Sequence, residues 1–299
     1  MKDPQGGVGR VGGVGGVGWM GWAGGPVGVA AEAVLAPNPG PMTLDGTNTW
    51  VLAAPGQDEA VVVDPGPADE GHLAAVVAAA GRRGVRIVTV LLTHGHLDHS
   101  EGAPRLRDLT AAPVRALDPR HVLGSEGLTG GTRLEVAGLT LEVIATPGHT
   151  ADCLSFVVAE HGLLLTGDTV LGRGTTVVAH PDGRLAAYLE SLRALERIAV
   201  ERELRAVLPG HGPVLTTPAA PPADVLRSYL AHRRERLEQV RAAVAAGAVT
   251  PADVVERVYA DVPREVWPAA ELSVRAQLTF LGLLPEDGSG DGPDVDHGE

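Results

Sequence analysis

The sequence predicts an α/β fold in four layers, αββα: two sheets face each other, helices cover both outer faces, and a small helical domain follows. Three observations predict it. Two successive halves of the chain each read as β-hairpins leading into strand–helix units. The apolar, β-branched run over residues 85–92 ends abruptly in Thr93-His94-Gly95-His96-Leu97-Asp98-His99. It therefore reads as a buried parallel strand with polar chemistry at its carboxyl end, where α/β sheets gather ligands. From Pro218 onward the pattern turns helical.

The elements follow in order. A first strand over 32–37 precedes the rigid loop Pro37-Asn38-Pro39-Gly40-Pro41. Residues 50–54 and 59–63 form a hairpin around Pro55-Gly56-Gln57-Asp58. An Ala-rich amphipathic helix over 70–80 stops at Gly81. Beyond the histidine loop, Ser100 is placed to cap a helix over 101–110, and a strand follows over 114–117. Residues 132–136 pair with 139–145 around Ala137-Gly138, and 153–159 pair with 163–166 around Glu160-His161-Gly162. A helix over 185–200 and a strand over 206–208 complete the second half.

The linker Thr217-Pro218-Ala219-Ala220-Pro221-Pro222 opens the helical part. Its helices are expected over 224–246, 252–259 and 269–284, the second with Thr250 as N-cap and Pro251 at the first helical position. The expected organisation is a disordered Gly-rich tail over 1–31, a layered domain over 32–217, a helical domain over 218–285 and a disordered acidic tail over 286–299.

Composition bounds the function. The 299 residues allow one large domain and a small appendix, and with 3% aromatics the core is built from Val, Leu, Ala and Ile. A formal charge of −13 excludes an open, non-specific nucleic-acid binder, which presents a basic face. A nuclease is still allowed, because bound divalent cations reverse the sign at the site. The single cysteine, Cys153, rules out an intrachain disulfide and a thiolate zinc knuckle, and fits a reducing, cytoplasmic setting. The uncharged run over 11–31 follows Lys2 and Arg10 as a secretory signal would, but its repeated glycines disfavour a helix at about 1 kcal/mol each. Nothing else approaches a membrane span, so no membrane partner is expected.

The chemistry lies in the histidines and aspartates. His94, His96, Asp98 and His99 crowd one loop, and three more sites share its setting of a strand end flanked by glycine: His149 in Pro-Gly-His-Thr, Asp168 in Thr-Gly-Asp-Thr and His211 in Pro-Gly-His-Gly. Seven candidate ligands exceed what one zinc ion takes. Imidazole and carboxylate donors suit Zn, Mn or Fe, and the count favours two ions sharing a carboxylate and a water. Two cations lower the pKa of such a water to about 7, and Asp98 is read as orienting the resulting hydroxide for attack on phosphorus or a carbonyl carbon.

The motif His94-Gly95-His96-Leu97-Asp98-His99, followed by His149, Asp168 and His211, resembles the metallo-β-lactamase superfamily over roughly residues 35–218. The segments Asn38-Pro39-Gly40-Pro41-Met42-Thr43-Leu44, Gly46-Thr47-Asn48-Thr49 and Leu171-Gly172-Arg173-Gly174-Thr175-Thr176, with the helical tail, resemble the β-lactamase-like protein 2 group. That group joins this fold to a winged-helix-like C-terminal domain and includes single-strand RNA endonucleases. The resemblance implies that His94, His96 and His149 hold one divalent metal, that Asp98, His99 and His211 hold the other, and that Asp168 bridges them, with Zn2+ the expected ion. It implies a hydrolase acting on single-stranded RNA or, as in the glyoxalase II type, on a small-molecule thioester or ester. Zinc β-lactamases lack the bridging aspartate and many use a cysteine ligand, so a true β-lactamase is not expected. A metal redox or binding protein is the remaining reading; His99 and Asp168 together favour hydrolysis.

Other residues carry two readings each. Thr47 and Asn48 line the mouth of the site or form a capped turn. Arg173, with Thr175 and Thr176 beside it, is a phosphate clamp or a surface arginine. His180 is a general acid or part of the turn before Pro181-Asp182-Gly183. His72, His121, His161, His232 and His297 read as surface residues. Arg227, Arg233, Arg234, Arg236 and Arg241 are a solvated helix face or an RNA-backbone contact.

Overall fold

The computed structural model describes residues 21–285. The first sheet is built from β1 (Gly25–Val27), β2 (Ala31–Leu35), β3 (Asn48–Leu52), β4 (Glu59–Val63), β5 (Arg86–Leu91) and β6 (Val114–Arg115), in that spatial order. Helix α1 (Glu70–Arg82) makes the crossover that lets β4 and β5 run parallel. After the short α2 (Leu97–Ser100) and α3 (Ala103–Thr110), β6 also lies parallel to β5.

The second sheet comprises β7 (Arg133–Val136), β8 (Leu139–Ala145), β9 (Leu154–Val158) and β10 (Leu163–Gly167), then β11 (Ala206–Pro209) and β12 (Leu215–Thr216). It is antiparallel except where α4 (Leu185–Glu201) carries the chain from β10 to a parallel β11. Helices α5 (Pro222–Ala245), α6 (Pro251–Val258) and α7 (Trp267–Phe280) complete the chain.

Alternation along each strand sets the layers. Trp50, Leu52, Val61 and Val63 face the other sheet and meet Leu141, Val143, Leu154 and Phe156. Their neighbours Val51 and Val62 face outward onto Leu73 and Val76 of α1. In the second sheet, Leu164 and Val207 face outward onto Leu192 and Leu195 of α4, in a cluster shared with Leu226 and Leu230 of α5. Because both faces of these strands are covered, they read as nearly unbroken apolar runs. Each fully buried aliphatic side chain contributes about 1.5–3 kcal/mol. Val240, Val254, Val255 and Val274 form a separate core among the last three helices. Thr250 and Asp253 close a reciprocal capping box at the start of α6.

Three expectations are corrected. Residues 25–27, placed in the disordered tail, form an edge strand paired with β2; residues 1–20 and 286–299 of the two expected tails lie outside the described residues. The helix expected over 101–110 begins at Ala103, with Pro104 in its first turn. Proline has no N–H to extend the preceding turn, and Ser100 donates its hydroxyl to the Gly95 carbonyl instead of capping. His72 is buried, not exposed: it shares the inner face of α1 with Val76, four residues on, and its Nε2 lies 2.8 Å from Thr49 Oγ1.

Candidate metal centre

All seven candidate ligands converge on one end of the sandwich. His94 and His96 leave the end of β5, Asp98 and His99 sit on α2, His149 lies in the turn between β8 and β9, Asp168 follows β10 and His211 follows β11. The two sheets are tied together there. Thr47 bridges to His211, the Asn48 N–H donates to Gly210 O, and the Asn48 amide donates to Pro209 O and Gly212 O. On the other side, Leu154 N–H donates to Thr93 O.

Two glycines make the approach possible. A Cβ on Gly210 would stand 2.5 Å from Asp168 Oδ1 and 2.7 Å from His99 Cε1, so only glycine brings His211 this close to both. Gly148 has φ +143°, and a Cβ there would stand 2.3 Å from Tyr188 Cα.

The donor atoms form two groups. His94 Nε2 lies 3.0 Å from His96 Nδ1, which lies 3.1 Å from His149 Nε2. His99 Nε2 lies 3.3 Å from His211 Nε2, and Asp98 Oδ2 lies 3.5 Å and 3.2 Å from these two nitrogens. Donors set tetrahedrally around zinc at their usual bond lengths stand about 3.3 Å apart. Asp168 lies between the groups: Oδ1 is 3.4 Å from His99 Nε2, and Oδ2 is 3.4 Å from His211 Nε2 and 3.7 Å from His149 Nε2. Asp168 Oδ1 is buried with no hydrogen-bond partner among the described residues, as a carboxylate aimed at a cation would be.

The outer nitrogens fix which ring nitrogen points inward. His149 Nδ1 donates to Val177 O at 2.7 Å, and His211 Nδ1 to Gly46 O at 3.2 Å. Thr93 Oγ1 gives its only proton to Asp64 Oδ2, so its 3.0 Å contact with His94 Nδ1 is one it accepts. His99 Nδ1 donates to Asp64 Oδ2 at 2.9 Å. In the first group, His94 Nε2 and His149 Nε2 then turn bare lone pairs toward His96, an arrangement that a cation relieves.

Charge divides the centre in the same way. Burial, reinforced by His99, holds the His94 imidazole well below its usual range, and burial with His149 lowers His96. Burial would also depress His211, but Asp168 and Asp98 outweigh it and push it up to about 11. His99 is raised in the same way, by Asp168 and Asp64 against burial. Against its own burial, Asp168 is held well below the carboxylate range by His211 and His99. A proton on His211 thus occupies the place a second cation would take.

Asp64 is the residue that sequence reasoning missed. It directly follows β4 beside β5, carries φ +52° and also accepts the Thr93 N–H at 2.7 Å. Its signal was its place at a parallel strand end, the same signal that marked His94.

The second-tier candidates separate. Asn48 is fully buried with its amide occupied by backbone carbonyls, so it is a clip between the sheets and not a substrate contact. Thr47 is equally buried: it accepts from Asn38 Nδ2 and turns its hydroxyl to Asp98 Oδ2 at 3.5 Å. Arg173 is paired with Asp45 and, with the exposed Thr175, lines a cavity of about 170 Å3 next to His149 and Asp168. Buried Thr176 donates to Asp168 O at 2.6 Å. His180 lines a different cavity, with Leu185 and Phe280. Cys153 is buried in contact with Thr150 and outside both donor groups.

The sequence profile of the Metallo-beta-lactamase superfamily matches residues 42–211, more than half the chain. The chain belongs to the metallo-beta-lactamase superfamily. A profile described as Beta-lactamase associated winged helix domain matches residues 250–281, which places α6 and α7 in that domain. Among characterised relatives, a Beta-lactamase-like protein 2 homolog of Caenorhabditis elegans is 32% identical over 84% of each chain. An Atrochrysone carboxyl ACP thioesterase of Aspergillus fumigatus is 32% identical over 78% of this chain and 74% of its own. A Beta-lactamase domain protein from Burkholderia ambifaria has the same fold, with TM-score 0.71, 23% identity and coverage of 89% and 90%. This is a hydrolase fold carrying grouped His and Asp side chains able to hold metal. None of the described helices is long and apolar enough to cross a membrane.

Proposed function

We propose that the protein is a dinuclear metal-dependent hydrolase of thioesters or related acyl compounds. His94, His96 and His149 would hold one ion, Asp98, His99 and His211 the other, with Asp168 placed between the two groups. Divalent cations bound there would supply an acidified water and polarise a carbonyl oxygen. Thr93, Asp64, Val177 O and Gly46 O hold the imidazoles in register, and Asp98, steadied by Thr47, accepts the proton of the attacking water.

The observation that carries the acyl reading is the surface next to His149 and Asp168. Pro41, Met42, Leu44, Leu171 and Val177 line it, which suits an apolar acyl group better than a polyanionic strand. The relatives named as thioesterases support the same choice.

Of the five α5 arginines that an RNA-backbone contact would use, four make contacts within the chain and Arg234 is exposed. Arg227 pairs with Glu196 and Asp224, Arg241 pairs with Glu238, Arg233 is buried, and Arg236 donates to Val258 O and lies over the Tyr259 ring. Metal-loaded protein should hydrolyse acyl thioesters in a chelator-sensitive way and leave labelled single-stranded RNA intact. Chelator-sensitive RNA cleavage without thioester turnover would reverse the assignment.

A further inference from the structure

A second cavity, of about 210 Å3, lies between the layered domain and the last three helices. Pro41, Met42, Thr175, Thr176 and Val177 line both it and the cavity beside His149 and Asp168, so the two adjoin along one groove wall. Near the metal centre the groove is mainly apolar, with Arg173, paired to Asp45, and Thr175 at its edge. Arg233, Arg236 and His232 line only the cavity away from the metal centre, and Arg233 reaches the shared wall through the Thr176 carbonyl.

Arg233 is unusual for a buried arginine. It is only 5% exposed, it gives Nη2 to the carbonyl of Thr176, and its guanidinium lies 5.0 Å from the Tyr188 ring centre. Its Nε has no hydrogen-bond partner, and no carboxylate pairs with it among the described residues, whereas Arg227 and Arg241 on the same helix are both paired. His232 Nδ1, in the same wall, is also buried without a partner among the described residues. A buried cation lacking a counter-ion is costly, and so is a buried donor lacking an acceptor. One oxyanion entering from the groove relieves both, with the planar guanidinium offering a fork to its oxygens.

We infer that the far end of this groove is an anion site that binds a carboxylate or phosphate carried at the distal end of the acyl substrate. The inference rests on the acyl-hydrolase reading for the identity of the ligand, but the site itself is defined by Arg233, Arg236 and His232. The apolar middle of the groove takes the chain between that anion and the scissile carbonyl at Asp168. The substrate class is thus an anionic acyl thioester, and a neutral chain of equal length binds less well.

The test is calorimetric titration of metal-loaded protein with three non-hydrolysable thioether analogues of one chain length. They end in a carboxylate, a phosphate or a methyl ester. Either charged analogue is expected to bind at least tenfold more tightly than the ester, and the stronger of the two identifies the natural terminus. Arg236→Gln and, separately, Arg233→Gln should each remove most of that preference and leave ester binding within twofold. Arg236→Gln keeps the test open if the buried Arg233 variant fails to fold. Equal affinity for all three analogues, or a charge preference that survives undiminished both in Arg236→Gln and in a folded Arg233→Gln variant, would overturn the anion site. A thioester that is bound with this preference but never turned over would instead defeat the hydrolase reading and leave the site standing.

Discussion

Asp64 Oδ2 stands 2.9 Å from His99 Nδ1 and, with both side chains buried, fixes that imidazole so that Nε2 faces His211 and Asp168. The same carboxylate takes both the N–H and the hydroxyl of Thr93, whose oxygen in turn receives His94 Nδ1. One carboxylate therefore orients a candidate ligand in each donor group. Asp64→Asn removes the charge but keeps the shape. It is expected to weaken metal affinity by about 10–100-fold with little loss of thermal stability in the metal-loaded protein. Competition against a chromogenic chelator measures this, and unchanged affinity would show that Asp64 only packs.

Metal uptake should displace protons. In the metal-free centre His211 is raised to about 11, so at pH 7 it carries a proton held between Asp168 and Asp98. The sign follows directly. A raised histidine stabilises the metal-free fold fully below pH 6.5 and loses that contribution as pH climbs through about 11. A cation competing with this proton binds more weakly as pH falls, by about tenfold per unit for each proton displaced. Titrations in buffers of different ionisation enthalpy should detect at least one proton released per chain at pH 7.

Cys153 should be inert. Burial pushes its thiol from 9.0 up to about 12, against the opposing contacts from Thr150. The thiol is therefore neutral in the folded protein at any physiological pH, and native protein should react with a disulfide reagent only as fast as it unfolds. Between about pH 9 and 12 the unfolded thiol ionises and the folded one does not, so stability falls over that window and Cys153→Ala flattens the decline. Rapid labelling of native protein at pH 8 would place the sulfur within solvent reach.

Much of the fold and the centre was legible in the sequence because period and position carry the signal. Strands covered on both faces read as apolar runs, and His94, His149, Asp168 and His211 each sit at a glycine-flanked strand end. What was illegible depends on partners distant in the chain. Asn48 reads as a turn residue until Pro209 and Gly212 arrive 161 and 164 residues later. Arg233 sits within an arginine stretch that resembles a solvated face, and only the packing of α5 over Thr176 and Tyr188 turns it inward. His72 was legible in principle, since it shares a helical face with Val76, but a lone histidine among alanines gave no cue to Thr49 on a neighbouring strand.

The central claim is a two-ion centre that depends on Asp168, and metal stoichiometry tests it most directly. Elemental analysis of purified protein after loading and desalting should give two divalent ions per chain for the wild type. For a folded Asp168→Asn variant it should give one or fewer, with thioester turnover lost in step. A single ion in the wild type, or two ions at full affinity in Asp168→Asn, would contradict the account.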